Sequence, residues 1–211
     1  MANPTPSQLR SLAQRDPRLG AAMLHLPKFP GFPESGQPRR TRYESLASAI
    51  VFQQLAFKAA NTIHGRVCAL TPGPRFPQPQ EILQLSDENL RAAGLSRSKL
   101  AAVRDLAAHL GDGRLHLASI HHRSDSEIIE ALSAVRGIGS WTAQMFLIFH
   151  LGRLDVLPIG DLGVQEGLRI LDGLYQRPTP KELQVRGAVW APLRSVAAWL
   201  LYRVVERANT K

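Results

Sequence analysis

The sequence has one cysteine, Cys68, few aromatics (6%) and no long apolar run, and each shortage removes a class of protein. A single thiol cannot close an intramolecular disulfide, complete a cysteine zinc site or hold a four-cysteine iron–sulfur cluster, so a reducing compartment fits. No stretch reaches the roughly 18 consecutive apolar residues of a membrane span, and MANPTPSQLRSLAQRDPRLG lacks the apolar core of a signal peptide. Alternating strand-like runs are missing as well. Acidic residues are scarce, with 17 Asp plus Glu against 26 Lys plus Arg, a net charge of +9 and a pI near 10.6. That balance suits a polyanionic partner, although the basic residues are scattered and do not by themselves select nucleic acid.

What is present is a chain of 211 residues, 44% hydrophobic, enough for one domain or two small lobes sharing a core. Its apolar spacing is helical throughout and predicts an all-α fold of about ten short helices. The longest periodic segment, Tyr43–Leu70, puts Leu46, Ile50, Leu55, Ala59, Ile63 and Val67 at helical spacing behind a Thr41/Glu44 capping box. SKLAAVRDLAAHLG follows with Leu100, Val103, Leu106 and Leu110 on one face, and Ser124/Glu127 caps the start of SDSEIIEALSAV. The Pro-rich stretch Pro27–Pro38 reads as a surface connection. The expected organisation is an N-terminal helical segment and connection over 1–40 and a body over 41–211.

Between two apolar helices lies Val135-Arg136-Gly137-Ile138-Gly139-Ser140-Trp141-Thr142. Two glycines around one apolar residue permit a tight turn with outward amides, Ile138 pins the turn, and the following helix offers its positive end. Such an end suits a phosphate and fixes position without reading bases. A lone Gly-x-Gly is equally an ordinary helix corner. Beyond the apolar helix, GRLDVLPIGD ends on Asp161, placed to cap LGVQEGLRIL and also able, if held ionised beside a cleft, to face a developing cation.

Four stretches together, AIVFQQLAFKAANTIHGR, AGLSRSKLAAVRDLA, VRGIGSWTAQMFLIFHLGRLDVLPIGDLGV and WAPLRSVAAWLLYR, resemble the helix-hairpin-helix DNA glycosylases, and most closely their 3-methyladenine, alkylation-repair branch. The resemblance covers most of residues 43–203 in the family's order. It implies a two-lobed all-α fold with the cleft between lobes, a hairpin over 128–150 and a catalytic loop over 152–161. The family's extra N-terminal β-rich lobe is expected to be absent. The implied activity is excision of alkylated bases, of the 3-methyladenine and 7-methylguanine type, by N-glycosidic hydrolysis in base excision repair. The rival readings are a catalytically silent DNA-binding module and a glycosylase for oxidised or mismatched bases.

Residue by residue, Asp161 falls on the catalytic aspartate, while Asp155 in the same stretch orders the loop. Gly137, Gly139 and Thr142 fall on positions that contact DNA phosphate. The carbonyls of Ser133, Val135 and Ile138 correspond to a monovalent-cation site for Na+ or K+, and no other cofactor is implied. Arg136 departs from the family's usual proline. Trp141 stands where the bifunctional branch carries a Schiff-base lysine, so the chain is expected to be monofunctional and to use water. Trp141, Met145, Tyr202 and Gln54 fall on base-pocket positions, with Met145 and Phe149 as readily core residues. Leu55 falls on the wedge position that fills the gap left by an extruded base, or is a core leucine. His121-His122 and the His109/His116 pair read as loop or surface residues. The implied partner is damaged duplex DNA, bound by a monomer in the cytoplasm at the nucleoid, or in the nucleus of a eukaryote.

Overall fold

The computed structural model describes residues 3–32 and 40–210. Among them the secondary structure is helical, as the periodicity predicts, and no strand occurs. The α-helices are α1 (Pro6–Arg15), α2 (Pro17–Met23), α3 (Arg42–Phe52), α4 (Phe57–Cys68), α5 (Pro79–Gln84) and α6 (Asp87–Ala92). They continue with α7 (Arg97–Gly111), α8 (Asp125–Ser133), α9 (Ser140–Met145), α10 (Leu162–Asp172), α11 (Pro180–Arg186) and α12 (Arg194–Asn209).

Local chemistry sets where these helices begin. Thr5, Thr41, Ser124 and Thr179 each form a reciprocal capping box with the Gln or Glu three residues on, satisfying two otherwise unpaired N–H groups. A cap of this kind is worth about 1 kcal/mol. Prolines occupy the first turn of α1, α2, α5 and α11, where their missing N–H costs nothing.

The chain forms two compact units. One comprises Pro38–Phe146, the other Met1–Gln37 with Leu147–Lys211. In the first, α7 packs against α3, α5 and α6, burying Val103 and Leu106 completely beside Leu46, Ile50 and Leu90. In the second, α12 is the central rod: Ser195 through Leu201 are buried on every side. A helix buried all round needs neighbours on all faces. Helix α10 meets it at such close range that a Cβ on Gly167 would lie 2.6 Å from Leu201 Cβ. Asp16 ties the N-terminal helices in, capping α2 through Leu19 N–H (3.1 Å) and accepting the Trp190 indole N–H (2.6 Å) and the Arg186 guanidinium (2.8 Å).

Two expectations are corrected here. The Tyr43–Leu70 segment is two helices rather than one, because Gln53 turns to ψ 133 and Gln54 to φ +54. Leu55 therefore leaves the buried row of Leu46, Ile50 and Val67 and is 39% exposed. The Pro27–Pro38 stretch falls outside the described residues from 33 onward; in its earlier part Pro27, Lys28 and Pro30 are exposed, while two aromatics turn inward. Phe32 is buried, meeting Phe149 edge-on at 5.4 Å, and Phe29 meets Trp199 edge-on at 5.4 Å. His109, read as a surface residue, is buried on α7, where its Nδ1 lies 2.9 Å from the Asp105 carbonyl and its Nε2 3.0 Å from Arg114.

Candidate active site

The hairpin consists of α8, a turn and α9, all in the Pro38–Phe146 unit. Ile138 N–H donates to Val135 O (3.1 Å), closing a four-residue turn, and Gly137 at its third position has φ +79. A negative φ followed by a positive one is the type II pattern, which demands glycine at that place. Space demands it as well, since a Cβ on Gly137 would lie 2.8 Å from Ala102 Cβ on α7. Ile138 is buried and anchors the turn, as the sequence suggests.

Gly139 is different. It caps α9 at φ −89 and ψ 174, extended backbone open to any residue, and a Cβ there would meet nothing within 4 Å. The fold itself has no use for a glycine at 139, whereas a ligand approaching the backbone closely would. Thr142, one turn into α9, is buried, and its hydroxyl lies 3.2 Å from Gln53 Nε2. The Thr142 amide precedes the first helical bond, from Ala143 N–H to Gly139 O.

The loop between α3 and α4 stands beside the hairpin. Gln53 Nε2 donates to Gly137 O (2.9 Å) as well as to Thr142. Gln54 occupies the left-handed region at φ +54, which a glutamine enters only at a cost, and it and Leu55 are exposed. Phe57, at the start of α4, is 74% exposed, with its ring 5.9 Å from that of Phe52.

The second unit holds the loop ahead of α10. Asp155 takes a bidentate pair from Arg194 (2.7 and 2.8 Å) and also accepts its backbone N–H (3.2 Å). It orders the loop. Ser195, fully buried, accepts Val156 N–H (2.9 Å) and donates to Val156 O (3.1 Å), a second tie that no motif announced. So fastened, the loop delivers Asp161, 6% exposed, with Oδ1 accepting Val164 N–H at 2.8 Å as the N-cap of α10. Tyr202 on α12 donates its hydroxyl to the Asp161 carboxylate, and burial together with that negative charge pushes the phenol far above its ordinary range. The ring can approach because residue 163 is glycine: a Cβ there would lie 2.7 Å from Tyr202 Cε1 and 3.1 Å from Asp161 Oδ1.

Residues 47–192 match the HhH-GPD superfamily of base excision DNA repair proteins. The chain belongs to that superfamily. It is 35% identical to DNA-3-methyladenine glycosylase 1 of Schizosaccharomyces pombe over 84% of its own length and 78% of the relative's. It superimposes on a DNA-3-methyladenine glycosidase from Bacillus halodurans with a TM-score of 0.85 at 35% identity, over 98% and 92% of the two chains. A 3-methyladenine DNA glycosylase (Mag1) of Schizosaccharomyces pombe, solved with abasic DNA, gives 0.79 at 32% identity over 94% and 95%.

Within this HhH-GPD chain the aromatic positions divide by exposure. Trp141 on α9 is 46% exposed, while Met145 and Tyr202 are half-buried. Phe149 is half-buried, packed edge-on against Phe32. The apolar run after Met145 becomes a π-helical turn, Phe146–His150, a geometry frequent at functional sites. Among the described residues no group of His, Cys, Asp and Glu converges as a metal site, and no helix is long and apolar enough to cross a membrane.

Proposed function

We propose that this HhH-GPD protein is a monofunctional glycosylase that removes alkylated bases of the 3-methyladenine and 7-methylguanine type from duplex DNA by hydrolysis. Asp161 carries the proposal: a buried carboxylate that caps a helix, receives the Tyr202 hydroxyl and ends a loop tied down at Asp155 and Val156. A group so fixed needs no reorganisation when charge develops near it. The names of the two relatives at 35% identity support the substrate class.

In the proposed reaction the C1′–N bond breaks and its electron pair leaves with the base, whose alkylation has already made it a good leaving group. Asp161 faces the oxocarbenium-like sugar. Water adds to C1′ and loses its proton, leaving free base and an abasic site. At about 4 Å and an effective dielectric near 20, a carboxylate–cation pair contributes roughly 4 kcal/mol, about three decades of rate. In the Pro38–Phe146 unit Trp141, Met145 and Gln54 offer surfaces on which an extruded base would stack, and Tyr202 of α12 is the base-pocket residue carried by the other unit. Leu55, exposed beside a strained Gln54, is the wedge. Gly139, open to close approach, is the principal backbone contact, with Gly137 and the Thr142 amide beside it.

The carbonyls of Ser133, Val135 and Ile138 are hard oxygen donors, and Val135 O keeps a second lone pair beyond its bond to Ile138. They would hold Na+ or K+, whose charge would draw a phosphate towards the turn. The enzyme acts as a monomer in the compartment that holds the DNA.

Incubation with duplexes bearing one methylated base, followed by alkali, tests the proposal: strands break only after alkali if abasic sites form. Borohydride during turnover is expected to trap no adduct, since Trp141 has no amine. Strand cleavage without alkali, or a trapped adduct, would refute the monofunctional reading, and absence of any excision would return the chain to a silent DNA-binding module.

A further inference from the structure

Helix α7 presents, in successive steps of three residues, side chains that touch both exposed loops of the Pro38–Phe146 unit. Lys99, in its first turn, donates Nζ to Val51 O (2.7 Å) and Gln53 O (2.8 Å). These carbonyls close α3, where intrahelical donors have run out and the dipole is negative, so the ammonium terminates the helix and fixes the start of the Gln54–Leu55 loop. Burial lowers the Lys99 pKa, the mark of a charge drawn from water to do this. Three residues on, Ala102 supports Gly137. Three further, Asp105 Oδ2 accepts the backbone N–H of Arg136 at 2.7 Å. His109 stands behind Asp105, with Nδ1 3.5 Å from its Oδ1.

The Asp105 bond has a specific meaning in this turn. Arg136 is the first central residue of a type II turn, the place where proline is favoured because its ring presets φ and presents no N–H. Arginine there leaves φ free and exposes a donor. Asp105 restrains that residue by holding its N–H, and Gln53 closes the circuit by reaching from the Lys99-bound end of α3 to Gly137 O and Thr142.

We propose that Lys99 and Asp105 are positioning residues which, through α7, hold the Leu55 loop and the hairpin turn in one register for base extrusion, Asp105 standing in for a proline at 136. This rests on the glycosylase reading, because extrusion requires a wedge in the stack and a grip on the backbone at a set separation. Displacement by about an ångström is enough to lose orders of magnitude in rate.

The test is a double-mutant cycle. Asp105→Ala is expected to weaken binding to an abasic-analogue duplex about tenfold, the size of one charge-assisted hydrogen bond, and to speed amide exchange at Ile138 in the free protein by a similar factor. In the Arg136→Pro background, which has no N–H to hold, the same substitution is expected to change both within twofold. An equal loss in both backgrounds, or no loss in either, overturns the proposal. Lys99→Met is expected to slow single-turnover excision of a matched lesion at least fivefold more than of a mispaired one, whose unstacking is easier. Equal slowing of both overturns its half of the proposal. Because exchange at Ile138 is read without DNA, the Asp105 half stands or falls even if the chain excises no base.

Discussion

Gly137 and Gly139 look alike in the sequence, and the structure constrains only the first of them. Gly137 is required by the fold, through its φ of +79 and the close approach of Ala102, so Gly137→Ala is expected to cost about 2 kcal/mol of stability, seen as a lower urea midpoint. Gly139→Ala is expected to leave that midpoint unchanged and to weaken duplex binding, because its Cβ enters space that only a ligand would use. Unchanged affinity in that variant would remove Gly139 from the interface. Asp161 caps α10 and is proposed to face the reacting sugar as well, and both readings were legible as alternatives in the sequence. Asn keeps the cap and loses the charge, so Asp161→Asn is expected to hold its melting temperature and its DNA affinity while single-turnover excision falls by about 10² to 10³. The fall should be larger for neutral lesions than for cationic ones, which leave with less help. What the sequence could not disclose is the group beside Asp161. Tyr202 was placed in a base pocket by its position, yet its hydroxyl is committed to the carboxylate, and Gly163, which admits the ring, carries no motif at all.

At the scale of elements, periodicity found the helices and missed one break. The row from Leu46 to Val67 keeps helical spacing across Gln53–Ala56, so counting residues cannot detect that α3 ends there; the ends are set by Lys99 and by hairpin contacts distant in sequence. Capping boxes, which are local, were legible at Thr41 and Ser124. The Asp16 junction of α1, α2, α11 and Trp190 was equally invisible, for the same reason of distance. Burial would raise the Asp16 pKa, but the hydrogen bonds from Trp190 and Leu19 and the Arg186 charge outweigh it and hold the carboxyl below its usual value. A depressed folded pKa contributes stability that is complete above the unfolded value, about 3.9, and disappears as pH falls through the folded one. Asp16→Asn is therefore expected to be less stable than the parent by about 3 kcal/mol at pH 7, with the gap narrowing below about pH 4. Parallel urea melts at pH 7 and pH 3 check it. A gap that stays constant would mean that the charge of Asp16 is not what Arg186 and Trp190 hold.

For the whole molecule the count of 26 Lys plus Arg overstates the cations a phosphate backbone would meet. Arg75 is paired with Glu81, Arg104 with Asp87, Arg114 with Asp112, Arg169 with Glu166 and Arg194 with Asp155, while Arg42 donates to the carbonyls of Leu117 and Ala118. Composition alone could not separate these structural cations from those left to bind. The proposed grip through backbone amides binds phosphate without neutralising it, and so releases fewer counterions per contact than a Lys or Arg contact does. With about four to six phosphates neutralised, log K for duplex DNA is expected to fall against log salt with a slope of about −4 to −5. The same slope is expected for undamaged duplex and for one bearing a neutral lesion, since the extruded base adds stacking and no new ion pair. The two lines should run parallel, displaced by the selectivity for damage. Titrations of both duplexes from low to physiological salt decide the matter: a flat dependence would exclude backbone binding, and a steeper line for the damaged duplex would mean that extrusion recruits further cationic side chains beyond the hairpin.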